Sequence, residues 1–266
     1  MSNRHYRTKG FSLIELAMVL MIVGLLLGGL MVPLSSVMEN KGISETKKSL
    51  EDIKEALLGY AVINGRLPCP AASSSSGRES FCTNSSGSCG TVLYTYQTHG
   101  RCSNPYDGFL PAATLGITPT DTSGFAVDAW SNRIRYALTI SSSSSSPFCS
   151  YPYTFSKNTG MSTTTLANLA CASDLLVCSS ASTSSSSCSV ANSALTNGVP
   201  AIIFSTGPKQ GAGTDEVENI VTDNDRVFVS HAPTSSSATN GEFDDIVVWL
   251  SPNVLVNRMI EAGKLP

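Results

Sequence analysis

The sequence predicts an α+β fold: a long amino-terminal helix packed on a small, mainly antiparallel sheet, with disulfide-stapled, serine-rich insertions. Three observations support this prediction. They are a long apolar stretch that continues into apolar residues at helical spacing, four short runs rich in β-branched and aromatic residues, and eight cysteines. The 266 residues are enough for one large domain or two small ones.

The apolar stretch Leu16–Met38 contains 23 residues without a formal charge. As a helix it would measure about 35 Å, which is enough to cross the roughly 30 Å hydrocarbon core of a bilayer. Residues 1–10 hold three basic residues and no acid, so we expect them to stay in the cytoplasm while everything after about Glu39 is exported. A cleavable secretory signal is disfavoured by the length of the stretch. A plain anchoring helix leaves Glu15 unexplained.

The exported part is mildly acidic. Because three of the 17 basic residues lie in residues 1–10, the remainder carries 14 basic residues against 20 acidic ones. This balance argues against a general affinity for phosphate backbones, although a local basic groove is compatible with it. The sequence therefore gives no strong indication of nucleic-acid binding.

Residues 9–15, KGFSLIE, place a glycine, an aromatic residue and an acid just before the apolar stretch. This pattern resembles the processing site of class III signal peptides, which type IV pilins and the pseudopilins of type II secretion carry. The resemblance implies that a prepilin peptidase cuts between Gly10 and Phe11 and that Phe11 is N-methylated. It also implies that Glu15 directs assembly. The implied partners are other pilin-like subunits, the peptidase, an inner-membrane assembly platform and, before assembly, membrane lipid.

Cleavage would leave one α-amine on Phe11, whose ordinary pKa of about 8 keeps it mostly cationic. The carboxylate of Glu15 in a neighbouring subunit can pair with that amine in apolar surroundings. Removing one partner of such a buried pair typically costs about 3–5 kcal/mol. We therefore expect Glu15 to fix the register between subunits.

The predicted domains follow from these segments. Residues 1–10 are a leader, 11–38 a transmembrane and assembly helix, 39–65 the amphipathic half of the same helix, and 66–266 an exported globular domain. In the amphipathic half, apolar residues recur at helical steps, and charged residues fill the other faces. The apolar residues are Ile43, Leu50, Ile53, Leu57 and Ala61. Localisation is predicted to be a single-pass inner-membrane protein that later enters a periplasmic or cell-surface filament.

A second resemblance begins at the end of this helix, in ALLGYAVINGRLPCPA. That segment, the DGFLP and TLG motifs between 107 and 116, and DAWSNRIRYA at 128–137 are similar to blocks of a set of proteobacterial pilin-like proteins. The similarity extends through GEFDDIVVWLSPNVLVNRM near the end. It covers about two thirds of the chain and leaves the serine-rich parts outside.

Four strands are predicted in the second half, on the basis of their Ile, Val, Phe and Tyr content: Arg133–Ile140, Val199–Ser205, Arg226–His231 and Asp245–Leu250. Ser251 and Pro252 then predict a helix start, and Gly263 its end after about Ala262. Serine tracts at 73–76, 141–146 and 184–187 make residues 71–100 and 141–198 look like insertions that contribute little to the core.

The cysteines all follow the apolar stretch and are even in number, which predicts disulfides in an exported domain. Zinc is disfavoured because no CxxC occurs. Among the many possible pairings, we predict nested bridges within each insertion: Cys69–Cys102 with Cys82–Cys89, and Cys149–Cys188 with Cys171–Cys178.

Acids cluster in GTDEVENIVTDNDR and again before the last predicted strand. Major pseudopilins, which resemble this chain in general plan, bind calcium in a carboxy-terminal loop, and calcium prefers six to eight oxygen ligands. Asp215, Asp223 and Asp225 are weak calcium candidates on this basis. Exposed acids are common in turns, however, so no metal and no cofactor is predicted.

No catalytic residue is predicted. Once the leader is removed only His99 and His231 remain, and neither GxSxG nor a P-loop ending is present. The favoured function is structural, that of a minor pilin or pseudopilin in a type IV pilus or type II secretion filament. The alternative is a binding module at a filament tip for surfaces, DNA or a secreted substrate, in which the aromatic residues of 148–155 would stack on a ligand. The same residues could instead pack the core of their own loop.

Overall fold

The computed structural model describes residues 10, 12–140, 152–158, 160–163, 173–188, 193–211, 213–220 and 225–265, with only the backbone for 27–36. The chain forms two compact units, Met1–Ser44 and Glu45–Pro266. The boundary lies within a continuous first helix, so the second unit contains the last part of that helix together with every strand that the described residues form.

The described residues form four helices: α1 (Leu13–Asn64), α2 (Ala112–Leu115), α3 (Thr214–Ile220) and α4 (Pro252–Glu261). They also form nine strands: β1 (Phe81–Cys82), β2 (Val92–Leu93), β3 (Gly108–Phe109), β4 (Arg135–Leu138), β5 (Leu175–Cys178), β6 (Ala194–Val199), β7 (Ala201–Ser205), β8 (Val227–Val229) and β9 (Ile246–Leu250).

The strands are arranged in three sheets. The central sheet has the order β3-β4-β7-β9 and is antiparallel throughout. A second sheet has the order β6-β5-β8, with β5 and β8 parallel, and β1 pairs with β2 as a separate antiparallel ribbon. The predicted α+β class with mainly antiparallel pairing is confirmed, but the single sheet expected from the sequence was wrong.

Helix α1 ends at Asn64, and Gly65 follows with a φ of 67°, a left-handed conformation that glycine adopts without steric cost. In the second unit the predicted apolar positions of this helix, from Leu50 to Ala61, are buried, each with at most 1% of its surface exposed. In the first unit the apolar side chains between Leu13 and Leu26 are exposed. Among the residues with described side chains, no helix is both long and apolar enough to cross a membrane.

The four predicted strands are confirmed as β4, β7, β8 and β9, each shorter than expected by one or two residues at one or both ends. The carboxy-terminal helix is also confirmed. Ser251 is its N-cap residue, Pro252 its first residue, and Gly263, with a φ of 65°, follows its end. A proline fits the first helical position because its missing N–H has no partner there in any case.

The expectation that the two serine-rich segments contribute little to the core was wrong. Phe81 of the first segment is fully buried, and the second contains β5 and most of β6. Leu175 and Val177 of β5 join Ile202 and Phe204 of β7 in one apolar cluster, which connects the two larger sheets. Serine tracts dominate the composition of these segments, but the apolar residues between them find partners on neighbouring strands. The tract at 141–146 lies outside the described residues.

Candidate functional site

The predicted processing segment, residues 9–15, overlaps the first turn of α1, which begins at Leu13. The Oγ of Ser12 accepts a hydrogen bond from the backbone N–H of Ile14 at 3.2 Å, and the carbonyl of Ser12 accepts from Glu15 and Leu16. Ser12 is thus the N-cap residue, and Glu15 is the acid three residues later in a capping-box sequence. Glu15 lies in the first turn and is exposed. Phe11 lies outside the described residues.

Gly10 is exposed, and a Cβ built on it would meet no atom within 4 Å. Its φ is not in the left-handed region that favours glycine. The fold therefore imposes no requirement for glycine at position 10. Any such requirement must come from a molecule that handles this segment.

Three disulfides connect described cysteines: Cys69–Cys102, Cys82–Cys89 and Cys178–Cys188, with Cα–Cα distances of 5.3, 4.8 and 5.7 Å. The nested pairing predicted for the first insertion is confirmed. The pairing predicted for the second, Cys171–Cys178 with Cys149–Cys188, was wrong because Cys178 and Cys188 bond to each other. Cys178 ends β5, and the short loop that follows β5 brings Cys188 back to it.

We expect the two remaining cysteines, Cys149 and Cys171, to form a fourth disulfide, because the cysteine count is even and the domain is predicted to be exported. Non-reducing peptide mapping of protein from its native compartment should recover a Cys149–Cys171 peptide pair. Alkylation under denaturing, non-reducing conditions should label none of the eight cysteines. Labelling of these two residues would show that they are free thiols or ligands.

The calcium candidates do not form one site among the described residues. The carboxylate of Asp215 accepts hydrogen bonds from the N–H of Ala181 at 2.6 Å and the amide of Asn240 at 3.0 Å, and faces Nε2 of His231 at 3.2 Å. The carboxylate of Asp225 accepts from the N–H of Val227. Asp215 thus joins the Cys178–Cys188 loop, α3 and the loop after β8. Asp223 lies outside the described residues.

Three other acidic side chains do lie close together. Carboxylate oxygens of Glu216, Asp244 and Asp245 lie within 4.8 Å of one another, the only such group of three potential metal ligands in the described ranges. Several of these oxygens already accept hydrogen bonds. Glu216 accepts from the N–H of Asp244, Asp244 from the N–H of Lys209, and Asp245 from the amide of Asn219. The group could supply three ligands to a cation, fewer than calcium prefers.

Burial, together with the charges of the neighbouring carboxylates, raises the pKa values of Asp244 and Asp245. Burial, followed by the charge of Glu216, raises the pKa of Asp244 to about 6. Burial raises the pKa of Asp245 to about 7 against the opposing hydrogen bond from Asn219, and the charges of Glu216 and Asp244 add to the rise. Both folded-state values lie above the unfolded value of about 4, so the folded chain binds more protons than the unfolded chain between these limits.

We expect the free energy of unfolding to fall as the pH rises from about 4 to about 7, because stability decreases with pH wherever the folded state binds more protons. Asp245→Asn should flatten this dependence, since an amide oxygen can still accept from Asn219 and carries no charge. Chemical denaturation at a series of pH values measures the slope, with Asp52→Asn on the exposed face of α1 as control. A slope unchanged in Asp245→Asn would contradict the assignment.

A buried ion pair, not anticipated from the sequence, lies just after α1. The guanidinium of Arg66 donates to both carboxylate oxygens of Glu79 at 2.7 Å, and the two residues are 4% and 8% exposed. The rings of Tyr60, Phe81 and Tyr96 lie 4.6 to 5.7 Å from the guanidinium carbon. The pair thus connects the end of α1 to the first disulfide-linked segment.

The DAW block identified in the sequence forms a tight turn. Oδ1 of Asp128 accepts hydrogen bonds from the N–H groups of Trp130 and Asn132, and Oδ2 accepts from the hydroxyl of Ser205 at the end of β7. The hydroxyl of Thr46 in α1 accepts from the N–H of Ala129 at 3.3 Å. This block therefore holds α1, the turn and the central sheet together, which is a structural role.

The two histidines contact neighbouring residues, and Phe155 of the aromatic loop is buried. Nδ1 of His99 accepts from the N–H of Arg101, and the ring of His231 stacks on Phe243 at 3.9 Å. Phe155 is 1% exposed and therefore packs into the interior, as expected if the loop's aromatic residues form a core. Residues 148–151 lie outside the described residues.

Residues 6–31 match the family model described as the prokaryotic N-terminal methylation motif. Comparison with curated proteins and with solved structures gives no significant match. The matched range contains Gly10, Phe11 and Glu15 together with the first turns of α1. The chain therefore carries, at its amino terminus, the methylation motif that is the signature of type IV pilins and pseudopilins.

Proposed function

We propose that this chain is a structural subunit, a minor pilin or pseudopilin, of a type IV pilus or type II secretion filament, and that it is not an enzyme. The observation that carries the proposal is the methylation motif at residues 6–31. The size of the exported part, with its disulfide-linked segments, favours a minor subunit by analogy with the family.

Three residues, Gly10, Phe11 and Glu15, take part in the proposed processing and assembly. A prepilin peptidase cuts between Gly10 and Phe11, which removes the basic leader, and the new terminal residue is methylated. The precursor is anchored in the inner membrane by the apolar stretch Leu16–Met38, whose length in sequence supports this role. Glu15 then pairs with the terminal amine of a neighbouring subunit during assembly.

The geometry at Glu15 supports this use of the residue. An exposed acid in the first turn of a helix is favoured by the partial positive charge at the helix amino terminus. It is exposed in the isolated chain and therefore accessible to a neighbour. In the apolar centre of a filament the same carboxylate would require a cationic partner, because burying an isolated charge is costly.

Substitution of Gly10 tests the processing step. Because position 10 has open space, neither Gly10→Ala nor Gly10→Glu should disturb the fold. We expect Gly10→Ala to be cleaved at least in part, and Gly10→Glu to accumulate as uncleaved precursor. Immunoblotting of membrane fractions separates the two forms by the mass of the leader. Ser2→Glu, in the same leader but away from the bond, is the charge control and should be cleaved normally.

Equal cleavage of Gly10→Glu and the wild type would contradict processing at this bond. A precursor that is never shortened, in a cell that processes other prepilins, would contradict the proposed function as a whole.

A further inference from the structure

In the described residues the two larger sheets have four edge strands, and the chain itself closes or interrupts three of these edges. Beside β3, Ala71 and Phe109 exchange two backbone hydrogen bonds of 2.8 and 2.9 Å. Beside β8, the side-chain amide of Asn219 accepts from the N–H of Val229 at 2.7 Å and donates to its carbonyl at 3.0 Å. The register of β6 with β5 shifts twice, and such bulges hinder the addition of another strand.

The fourth edge strand, β9, has no such protection. Its register with β7 is regular over all five residues, and the strand contains neither proline nor a charged residue. Val247, Val248 and Trp249 at its centre are only partly buried. An apolar, regular edge strand of this kind is a template for pairing with another chain.

The hydrogen bonds of the central sheet show which backbone groups of β9 point outwards. The N–H of Leu138 in β4 donates to a carbonyl just before β3, so it makes no ladder bond to Ala201, its opposite residue in β7. Because bonded and non-bonded positions alternate in an antiparallel pair, Ala201 bonds instead to Leu250 of β9. The same alternation directs the N–H and C=O groups of Val247 and Trp249 away from β7. Neither residue has another backbone partner where the chain is described.

The surroundings of β9 are acidic at its amino end. Asp244 and Asp245 immediately precede the strand, and a carboxylate oxygen of Glu216 lies within 4.8 Å of theirs. Lys209 lies 2.5 Å from Glu242 and offsets that charge. The two residues after the strand are uncharged. The charge near β9 is therefore negative at one end only, and it is complementary to a basic residue.

A second copy of this chain is a poorer occupant of the same edge. Residues 241–253, which contain β9 and both of its flanks, include three acids and no basic residue. Two such strands side by side would leave the acids of both copies uncompensated.

We propose that the free edge of β9 binds an extended segment of another protein as a fifth strand of the central sheet. The segment lies antiparallel to β9, the slightly more stable arrangement, and carries apolar side chains at alternate positions. A lysine or arginine at its carboxyl end lies beside the acids that precede β9. Backbone bonds to Val247 and Trp249 give affinity, and the charge selects the partner. The site does not depend on the methylation motif, so its failure would leave the proposed function intact.

A synthetic peptide tests the open ladder on the full-length protein in detergent. The peptide has seven residues that alternate valine and threonine, followed by two lysines, and its fluorescent label reports binding by anisotropy at pH 8. N-methylation of the alternate residues whose N–H groups face β9 should weaken binding at least about tenfold, because two or more hydrogen bonds are lost. Methylation of the other alternate set leaves those bonds in place and should change binding less than twofold, on the order of experimental error.

Replacing the two lysines of the peptide by two glutamates tests the charge. The change should weaken binding about fivefold, the upper range for one exposed ion pair, and high salt should reduce the difference because it screens exposed charges. Asp244→Asn should also reduce the difference between the two peptides. Asp52→Asn, on the exposed face of α1, is the matched control and should leave the difference unchanged.

Val247→Pro closes the edge from the protein side. Proline removes an outward N–H but no bond to β7, and edge strands tolerate proline in that orientation. The variant should keep the near-UV circular dichroism of the wild type and bind the lysine peptide at least about tenfold less tightly. If the variant does not fold, the two methylated peptides decide the question, because they are tested on the wild-type chain.

The contrary results are distinct. Equal binding of the two methylated peptides, or no binding of the lysine peptide, would overturn the open edge. Equal binding of the lysine and glutamate peptides would overturn the basic partner. A wild-type chain that excludes the peptide because it pairs with a second copy, in an association that Val247→Pro abolishes, would overturn the choice of occupant.

Discussion

Glu15→Leu should be cleaved, inserted and oxidised like the wild type, yet be recovered in sheared filaments or crosslinked oligomers at least about tenfold less. The substitution removes a charge from the edge of the apolar stretch, so the isolated chain should be no less stable. In an assembly it leaves the terminal amine of a neighbouring Phe11 without its partner. Removing one member of a buried ion pair typically costs about 3–5 kcal/mol, which is more than enough for this reduction.

The measurement compares the total amount of each variant with the amount in filaments. Glu39→Leu is the matched control, because Glu39 is an exposed acid of the same helix beyond the apolar stretch. It should assemble normally. Glu15→Leu incorporated as well as the wild type would contradict the assembly role. A variant lost from the membrane altogether would indicate a role in insertion.

Glu79→Ala should destabilise the second unit by about 3–5 kcal/mol, because it leaves the buried guanidinium of Arg66 without a carboxylate. The aromatic rings around Arg66 restrict water that could replace the lost hydrogen bonds. Arg66→Met/Glu79→Leu removes both charges and should cost less than the single change, since no uncompensated charge then remains.

Denaturation of the full-length chain in detergent, followed by near-UV circular dichroism, measures these differences. Glu51→Ala is the control, since Glu51 pairs with Lys54 on the surface of α1, and an exposed pair is worth less than about 1 kcal/mol. A loss for Glu79→Ala no larger than that for Glu51→Ala would show that the buried pair contributes little.

The features predicted correctly from the sequence are those set by local chemistry. Asn64 ends α1 because Gly65 can adopt a left-handed conformation, and Ser251 with Pro252 starts α4 because those residues suit a helix amino terminus. The strands β4, β7, β8 and β9 were found because each lies in a short run rich in Ile, Val, Phe or Tyr. The first two disulfides were found because their cysteines bracket one compact segment.

The features that were missed depend on contacts distant in sequence. The strand β5 is only four residues long and lies in a serine-rich segment, and its partner β8 is about fifty residues away. The bond between Cys178 and Cys188 depends on where that strand ends. The cluster of Glu216, Asp244 and Asp245 brings together the start of α3 and the residues just before β9. Composition gave no indication that these segments meet.

The central claim is that the chain is a processed pilin-like subunit, and the mass of its mature amino terminus tests this most directly. The protein is extracted from membranes of its native host, digested, and its terminal peptide identified by mass spectrometry. We predict a peptide that begins at Phe11 and carries one methyl group on its α-amine. A terminus at Met1, or at any residue within or after the apolar stretch, would contradict the claim.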